Sequence, residues 1–172
     1  MKKLILATAL VLNALALPLN KVAAQEKDTE PESFKDRTSL VVSAGSYHIG
    51  QRTFYDNGEQ RHFNEFNPGF GLEYRLNDKF HLVACAYRNS IYNTSVYAGA
   101  GYETDGSKFL GFGVDAGIVT GYELPVAPAV VPYLRIGPRN DRFNVKLNVI
   151  PPVKGVTPAV VALQARISLG KS

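Results

Sequence analysis

Residues 108–123 read KFLGFGVDAGIVTGYE and alternate between two classes of side chain along their length. One class is apolar, and the other consists of glycine and a single acid; the two sets are Leu110, Phe112, Val114, Ala116 and Ile118, and Gly111, Gly113, Asp115 and Gly117. Because successive side chains of a β-strand point to opposite faces, a repeat of two residues indicates a strand. One face of this strand is therefore apolar, and the other carries almost no bulk.

The same alternation recurs through the chain. It is clear in FGLEYRL (70–76), RFNVKLNVI (142–150) and VALQARISL (161–169), each of which places its apolar residues on one face. After residue 38 no window shows the sustained periodicity of an amphipathic helix. The sequence therefore predicts an all-β protein.

Alternation of this kind fits two architectures. In a soluble sheet the apolar face forms the core, whereas in a membrane barrel the apolar face meets lipid and the polar face lines the lumen. The glycines favour a barrel, because a small closed barrel must fit all its inward side chains around one axis. A soluble periplasmic lipid-binding barrel stays open as an alternative, since the chain ends in SLGKS rather than on an aromatic residue.

The connections between the strands favour the membrane barrel. Short polar turns at 76–79, 103–108 and 137–141 alternate along the chain with mostly longer links at 50–68, 89–94, 121–129 and 150–158. Short turns on one side and longer loops on the other are typical of small outer-membrane barrels. We therefore expect an eight-stranded antiparallel up-and-down transmembrane β-barrel with both chain ends on the short-turn side.

The amino terminus has the pattern of an export signal. Residues 1–24 combine two early lysines, an apolar run too short to span a bilayer, and small residues for cleavage. Residues 25–38 are polar and acidic and are interpreted as a tether, which leaves 39–172 as the barrel domain. The resulting localisation is the outer membrane of a Gram-negative bacterium.

Charge and cysteine content exclude several classes of protein. The signal holds three lysines and no acid, so the formal net charge falls from +4 to +1 when it is removed. A nearly neutral chain without a basic run argues against nucleic acid as a partner. Cys85 is the single cysteine, and no Cys/His cluster has metal-ligand spacing, so we expect neither a disulfide scaffold nor a zinc site.

Two strands of the predicted barrel bring chemically useful side chains to one rim. The first strand ends with His48, and the third ends with Asn89 and Ser90. A histidine beside a serine is the pairing that nucleophilic or general-base chemistry needs. His62, in the long first loop, is a rival base, and an ordinary loop hydroxyl and an interfacial histidine are the simpler interpretation of the pair.

Other polar residues have a structural explanation. His81 lies near the opposite turn, roughly 26 Å of strand away from Asn89. Charged residues inside a barrel most simply form lumen ion pairs, which we expect of Glu73, Asp115, Arg135, Lys146 and Arg166. Prolines cluster in 125–132 and 151–158. Because proline cannot donate to a strand ladder, adjoining strands near the long-loop edge are expected to be locally unpaired.

Six segments resemble, in order and in approximate spacing, the outer-membrane lipid A palmitoyltransferase (PagP) family. They are SYHIG (46–50), FNEFNPGFGLEYR (63–75), AYRNS (86–90), YAGAGYE (97–103), FGVDAGIVTGYELPVAPAVVP (112–132) and KLNVIPP (146–152). No one of these motifs is specific, whereas the ordered set is fairly specific. The resemblance spans most of the chain, from about Ser46 to Leu169.

The resemblance implies a site and a reaction. The family's catalytic histidine, aspartate and serine fall on His48, Asn89 and Ser90, and the glycine that floors its acyl-chain pocket falls on Gly101. The proline-rich segments correspond to the family's lateral openings for lipid. These correspondences imply an acyltransferase that moves an acyl chain from a phospholipid donor to lipid A. They imply no metal and no diffusible cofactor.

Two departures from the family qualify that expectation. Asn89 stands where the family has aspartate, and in a Ser-His-Asp system that exchange costs about 10⁴ in turnover. The family also carries an amino-terminal amphipathic helix, for which residues 25–38 are too polar and too short. The alternative is a non-enzymatic lipid-binding barrel, in the outer membrane or the periplasm.

Overall fold

The computed structural model describes residues 33–104, 109–139, 141–152 and 158–170, which form a closed antiparallel barrel with one additional hairpin. The signal peptide predicted at 1–24 lies outside these ranges. The elements are α1 Phe34–Arg37, β1 Thr38–Ile49, β2 Thr53–Asp56, β3 Glu59–His62, β4 Phe66–Arg75, β5 Phe80–Arg88, β6 Thr94–Glu103, β7 Leu110–Thr120, β8 Val126–Ile136, β9 Phe143–Ile150 and β10 Ala159–Ser168.

Eight of the strands close on themselves. Neighbours around the wall run β1, β10, β9, β8, β7, β6, β5 and β4, and β4 returns to β1. Leu40 of β1 accordingly lies opposite Ile167 of β10 on one side and Leu72 of β4 on the other. Since every strand pairs with its neighbours in the chain or with the closing strand, the connectivity is up-and-down, as predicted.

The two faces of the wall have opposite chemistry. Large apolar side chains point outward, and Phe70 and Phe112 are 71% and 63% exposed. Charged side chains point inward, and Arg135 and Lys146 are each 1% exposed. A soluble barrel would bury its apolar face, whereas a barrel in lipid presents that face outward and keeps polar groups in its lumen. The fold is therefore an eight-stranded transmembrane β-barrel.

The amino-terminal part of the domain departs from the expected tether. Ser33 caps α1 with a capping box to Asp36, and Phe34 stacks on Tyr74 of β4 with ring centroids 5.4 Å apart. The first strand begins at Thr38, one residue earlier than predicted. The tether prediction is therefore corrected at its carboxyl end, where a short helix packs on the wall.

Two of the predicted long links contain strands. Residues 53–62 form the β2–β3 hairpin, whose turn places Asn57 and Gly58 at positive φ, the conformation that an Asn-Gly hairpin turn requires. The link predicted at 121–129 is shorter, because β8 begins at Val126 and pairs with the end of β7.

Among the described residues, no helix has the length and apolarity needed to cross a bilayer.

The prolines of β8 mark an unpaired seam in the wall. β8 pairs with β7 along its whole length, so Pro128 and Pro132 lie inside a strand rather than in a link. On its other side β8 pairs with β9 only from Tyr133 to Ile136. Proline is tolerated where its missing N–H faces an unpaired edge. The predicted local unpairing is therefore present, but it lies between β8 and β9 and spares the β7–β8 ladder.

Candidate functional site

His48 lies near the end of β1, at the rim formed by the longer links, which we call the long-loop rim. Its side chain is buried and stacks on Phe63 with ring centroids 4.0 Å apart and an interplanar angle of 6°. Phe63 in turn stacks on Phe54 of the β2–β3 hairpin at 5.2 Å. The imidazole is thus held in place by packing, and its Nδ1 is buried without a hydrogen bond to a described residue.

Asn89 follows β5 at the same rim and is completely buried. Its Nδ2 donates to Ser95 Oγ at 3.0 Å and to the Gly121 carbonyl at 2.7 Å, while its Oδ1 accepts from the backbone N–H groups of Ile91 and Asn93 at 3.1 and 2.8 Å. The amide therefore joins the link after β5 to β6 and to the link after β7. Both donor hydrogens and the acceptor oxygen of this amide are bonded to residues of the rim, and His48 is not among these partners.

Ser90 is partly buried and next to Asn89 in the chain. Its carbonyl accepts a hydrogen bond from the Asn64 N–H at 2.8 Å. Phe63 and Asn64 are adjacent, so one short segment stacks on His48 and hydrogen-bonds to Ser90. Among the described residues, there is no hydrogen bond between His48 and Ser90. The rival base His62 is exposed on β3, in the hairpin.

Gly101 lies on the inner face of β6, near the opposite end of the lumen. A Cβ there would overlap the imidazole of His81 and Oδ1 of Asp115. His81 Nε2 and Asp115 Oδ1 are 2.8 Å apart, so this pair covers the glycine. The resemblance implies that Gly101 floors an acyl pocket, whereas in the structure the floor above it is made of charged side chains.

The end of the lumen nearest the short turns is filled by what we call the buried ion cluster: Glu73, His81, Glu103, Asp115, Arg135, Lys146 and Arg166. Arg135 Nε lies 2.7 Å from Glu103, Arg166 Nη1 lies 2.6 Å from Glu73, and Lys146 Nζ lies 2.9 Å from Asp115. The five lumen ion-pair residues predicted from sequence all belong to this cluster. It closes the lumen at this end.

Sequence reasoning missed two residues at this end of the lumen, Glu103 and Tyr133. Glu103 accepts hydrogen bonds from Arg135 and from the Tyr133 hydroxyl, and Lys146 Nζ lies 3.9 Å from the centroid of the Tyr133 ring. His81 was placed correctly at this end, but its pairing with Asp115 was not foreseen. Each of these residues falls at an inward-facing position of its strand, β5, β6 or β8. That alternation was the signal in the sequence that could have placed them together.

A cavity of about 100 Å³ lies above the buried ion cluster, toward the long-loop rim. Apolar side chains supply much of its lining, among them Val83, Val131 and Ile150. Tyr97 and Asn148 contribute polar atoms to the lining, and Gly101 is not among its lining residues in the described part of the chain. The cavity is therefore a mixed pocket above a charged floor.

The unpaired seam lies beside this cavity. The β8–β9 ladder ends at Tyr133 and Asn148, and continuing its register would set Val131 opposite Ile150. Those two residues face the lumen and line the cavity. Among the described residues, the wall thus lacks β8–β9 backbone pairing at the height of the cavity.

The described residues hold no group of three or more His, Cys, Asp or Glu side chains arranged to bind a metal ion. The acids of the buried ion cluster face lysine and arginine side chains instead, as the distances above show.

Comparison with known proteins bears on the fold. No family model and no curated protein match the chain. Among solved structures, it is similar to a barrel from the de novo design of transmembrane β-barrels, with 12% identity and a TM-score of 0.54, covering 76% of this chain and 96% of that one. It also matches Neisserial surface protein A (NspA) with 16% identity and a TM-score of 0.35, covering 76% of this chain and 94% of that one. The similarity to the designed barrels is a similarity of fold alone, and it agrees with the transmembrane β-barrel described above.

Proposed function

We propose that this protein is an outer-membrane barrel that admits an acyl chain of a membrane lipid into its upper lumen. The observation that carries the proposal is the seam between β8 and β9, flanked by Val131 and Ile150, which opens the lipid-facing wall onto the cavity. The seam matters because unpaired backbone inside a bilayer is costly unless it serves a cavity or is covered by protein.

The closed lower lumen separates this proposal from a channel. Arg135, Lys146 and Arg166 meet Glu73, Glu103 and Asp115 across the axis and fill the space at the short-turn end. A through-pore needs an open aqueous path, whereas this barrel is blocked below and open to the side. Entry from lipid therefore fits the wall better than passage of solutes along the axis.

Closing the seam tests the proposal directly. In a Cys85→Ala background, a Val131→Cys/Ile150→Cys disulfide would tie the two edges of the seam together, and a Leu134→Cys/Leu147→Cys disulfide would bridge a part of the wall that is already paired. We expect the first to lower the amount of phospholipid that stays with the purified barrel, as measured by mass spectrometry, and the second to leave it unchanged. Equal lipid in both oxidised variants and in their reduced forms would refute lateral entry.

Acyl transfer is the second candidate function, and the linkage of His48 to Ser90 through Phe63 and Asn64 favours it. In this reaction the imidazole of His48 takes the proton of an acceptor hydroxyl on lipid A, or that of Ser90. The oxygen attacks the ester carbonyl of a phospholipid, the carbonyl–glycerol C–O bond breaks, and the proton passes to the departing glycerol oxygen. Where Ser90 is the nucleophile, a lipid A hydroxyl then attacks the acyl-serine, the carbonyl–Ser90 C–O bond breaks, and the proton of that hydroxyl returns through His48 to Ser90 Oγ. The partners are then a phospholipid donor and a lipid A acceptor in the outer membrane of a Gram-negative bacterium.

Expression in a host with unmodified lipid A tests this second function. Active protein adds one acyl chain to lipid A, which is visible as a mass increase. Ser90→Ala and His48→Phe should both abolish the increase; phenylalanine is the sharper substitution because it keeps the stack on Phe63 and removes the base. If the barrel is properly inserted and lipid A gains no chain, acyl transfer is refuted and lipid binding without catalysis is the function that remains.

A further inference from the structure

The backbone of β8 turns alternate residues toward the unpaired seam. β8 pairs with β7 at every position from Val126 to Ile136, and Pro128 and Pro132 lie within that ladder. Alternate residues of an antiparallel strand form their hydrogen bonds with the same neighbouring strand. Because proline has no N–H to give to β7, both prolines occupy positions that direct their carbonyls toward β9. Val126 and Val130 each lie two residues from a proline, so their backbone N–H and carbonyl groups also face the seam.

This edge of the seam offers more acceptors than donors. Continuing the β8–β9 register sets Val130 opposite Pro151, which has no N–H for the Val130 carbonyl. Pro128 adds a second carbonyl and no donor. Among the described residues, no backbone hydrogen bond joins this upper part of β8 to β9 or to residues 151–152. The carbonyls of Pro128 and Val130 are therefore without a backbone partner in the part of the chain that the structure describes.

The edge lies on the lipid-facing wall, close to the long-loop rim. The side chains of Val126 and Val130 point outward and are 54% and 41% exposed. β8 begins at Val126, so Pro128 lies only about 7 Å along the strand from its start. This is the height of lipid headgroups rather than of the bilayer centre. Because an unpaired carbonyl in a membrane wall costs free energy, a hydrogen-bond donor on a lipid headgroup would stabilise this edge.

The charge at the top of the seam favours a cation. Glu123 is exposed in the link that leads into β8. In the described parts of the two links that flank the seam, 121–125 and 151–152, Glu123 is the one charged residue, and Lys154 lies outside the described residues. Carbonyl oxygens beside a carboxylate suit a group that is positively charged and carries several N–H donors. A primary ammonium has both properties, whereas a quaternary ammonium has the charge alone.

We infer that the upper edge of the seam binds the primary ammonium headgroup of a phospholipid, with Glu123, Pro128 and Val130 as the residues that determine this specificity. The ammonium donates to the carbonyls of Pro128 and Val130, and the Glu123 carboxylate supplies the opposite charge. The acyl chains then lie below the headgroup, at the height of Val131 and Ile150. The inference rests on the proposed entry of lipid through the seam and names the headgroup of the lipid that enters.

Competition between two matched phospholipids tests it. The folded barrel in detergent is offered equal amounts of phosphatidylethanolamine and phosphatidylcholine with identical acyl chains, and native mass spectrometry measures the ratio of the two bound lipids. The two headgroups carry the same charge, and only the first has N–H donors. We expect about tenfold enrichment of phosphatidylethanolamine, because a hydrogen bond to a charged group has a net effect of this order.

Two substitutions locate the preference on the seam. Glu123→Gln removes the charge and keeps the size of the side chain, and Pro128→Ala adds an N–H donor to the edge. Each should lower the enrichment to about threefold or less. Glu59→Gln, in the β2–β3 hairpin, and Pro138→Ala, in the turn after β8, are the matched controls and should keep the full enrichment. Heat-modifiable gel migration checks that every variant is folded.

The outcomes separate this inference from the proposed function. Equal binding of the two lipids by the natural protein overturns the inference, since water then serves the carbonyls, and it leaves lipid entry intact. An enrichment that persists in both Glu123→Gln and Pro128→Ala places the headgroup elsewhere and also overturns the inference. If neither lipid is retained, the proposed function fails as well.

Discussion

The imidazole of His81 lies over Gly101, close enough that a single methyl group on that glycine would overlap it. His81 in turn bonds to Asp115 at 2.8 Å, and Asp115 lines the cavity above. The order along the lumen is therefore glycine, ion pair, cavity. Gly101 makes room for the charged floor of the pocket, which is a different role from forming that floor itself.

Gly101→Ala should destabilise the barrel. The added Cβ overlaps His81 Nε2 and Asp115 Oδ1, and overpacking of this kind typically costs about 1–3 kcal/mol. The measurement is the midpoint of urea unfolding in detergent, with the outward-facing Ala100→Val as a control on the same strand. Unchanged stability together with a shorter preferred acyl chain would instead favour the role that the family resemblance implies.

Asn89→Asp separates the structural role of this residue from a catalytic one. A carboxylate cannot donate to Ser95 Oγ or to the Gly121 carbonyl, so the rim should lose about 1–3 kcal/mol of stability, and acyl transfer, where present, should not rise. Unfolding and lipid A mass spectra measure the two effects. A gain in activity approaching the 10⁴ of the triad effect would show that residue 89 orients the histidine.

Lys146→Met tests the buried ion cluster. Lys146 Nζ contacts Glu73 at 3.2 Å and Asp115 at 2.9 Å, so its loss leaves two buried carboxylates without their shared cation. Removing one partner from a buried ion pair costs about 3–5 kcal/mol. Adding Asp115→Asn should recover part of the loss in urea unfolding. Additive effects of the two substitutions would argue against direct coupling.

Substitution on the outer face tests the membrane assignment. Leu72 lies within β4 and is 50% exposed, whereas Leu76 lies just beyond the strand and is 42% exposed. Arginine on a lipid-facing site costs about 2–4 kcal/mol at the bilayer midplane and about 0–1 near the interface. Leu72→Arg should therefore impair folding into vesicles, followed as heat-modifiable gel migration, much more than Leu76→Arg. Full release of the natural protein by osmotic shock would contradict the membrane location.

The fold was predictable because alternation and turn placement are local signals. Residues 110–118 show the period of two directly, and the structure places their apolar members outward as expected. The ion pairs were also predictable in kind, because inward charges of both signs must meet in a narrow lumen. Their individual partners depend on barrel closure and register, which is why Glu103 and Tyr133 were missed.

Other errors came from interpreting proline and glycine as the ends of strands. Pro128 suggested a link, but a strand tolerates proline when the missing N–H faces an unpaired edge, and the edge arises from the short β9. The Asn57-Gly58 pair is a hairpin signal in the sequence, and it could have predicted the β2–β3 hairpin inside the link expected at 50–68. The interior role of Asn89 was not predictable, since it depends on Gly121, which is distant in the chain.

Photo-crosslinking from lipid tests the central claim most directly. A phospholipid with a diazirine near the end of one chain is incorporated into vesicles with the natural protein, and mass spectrometry maps the labelled residues after irradiation. We predict adducts on residues that face the cavity, such as Cys85, Val131 and Ile150, together with those on the outer face. Labels confined to outward residues such as Leu72 and Phe112, with the cavity residues unmodified, would contradict entry of an acyl chain through the seam.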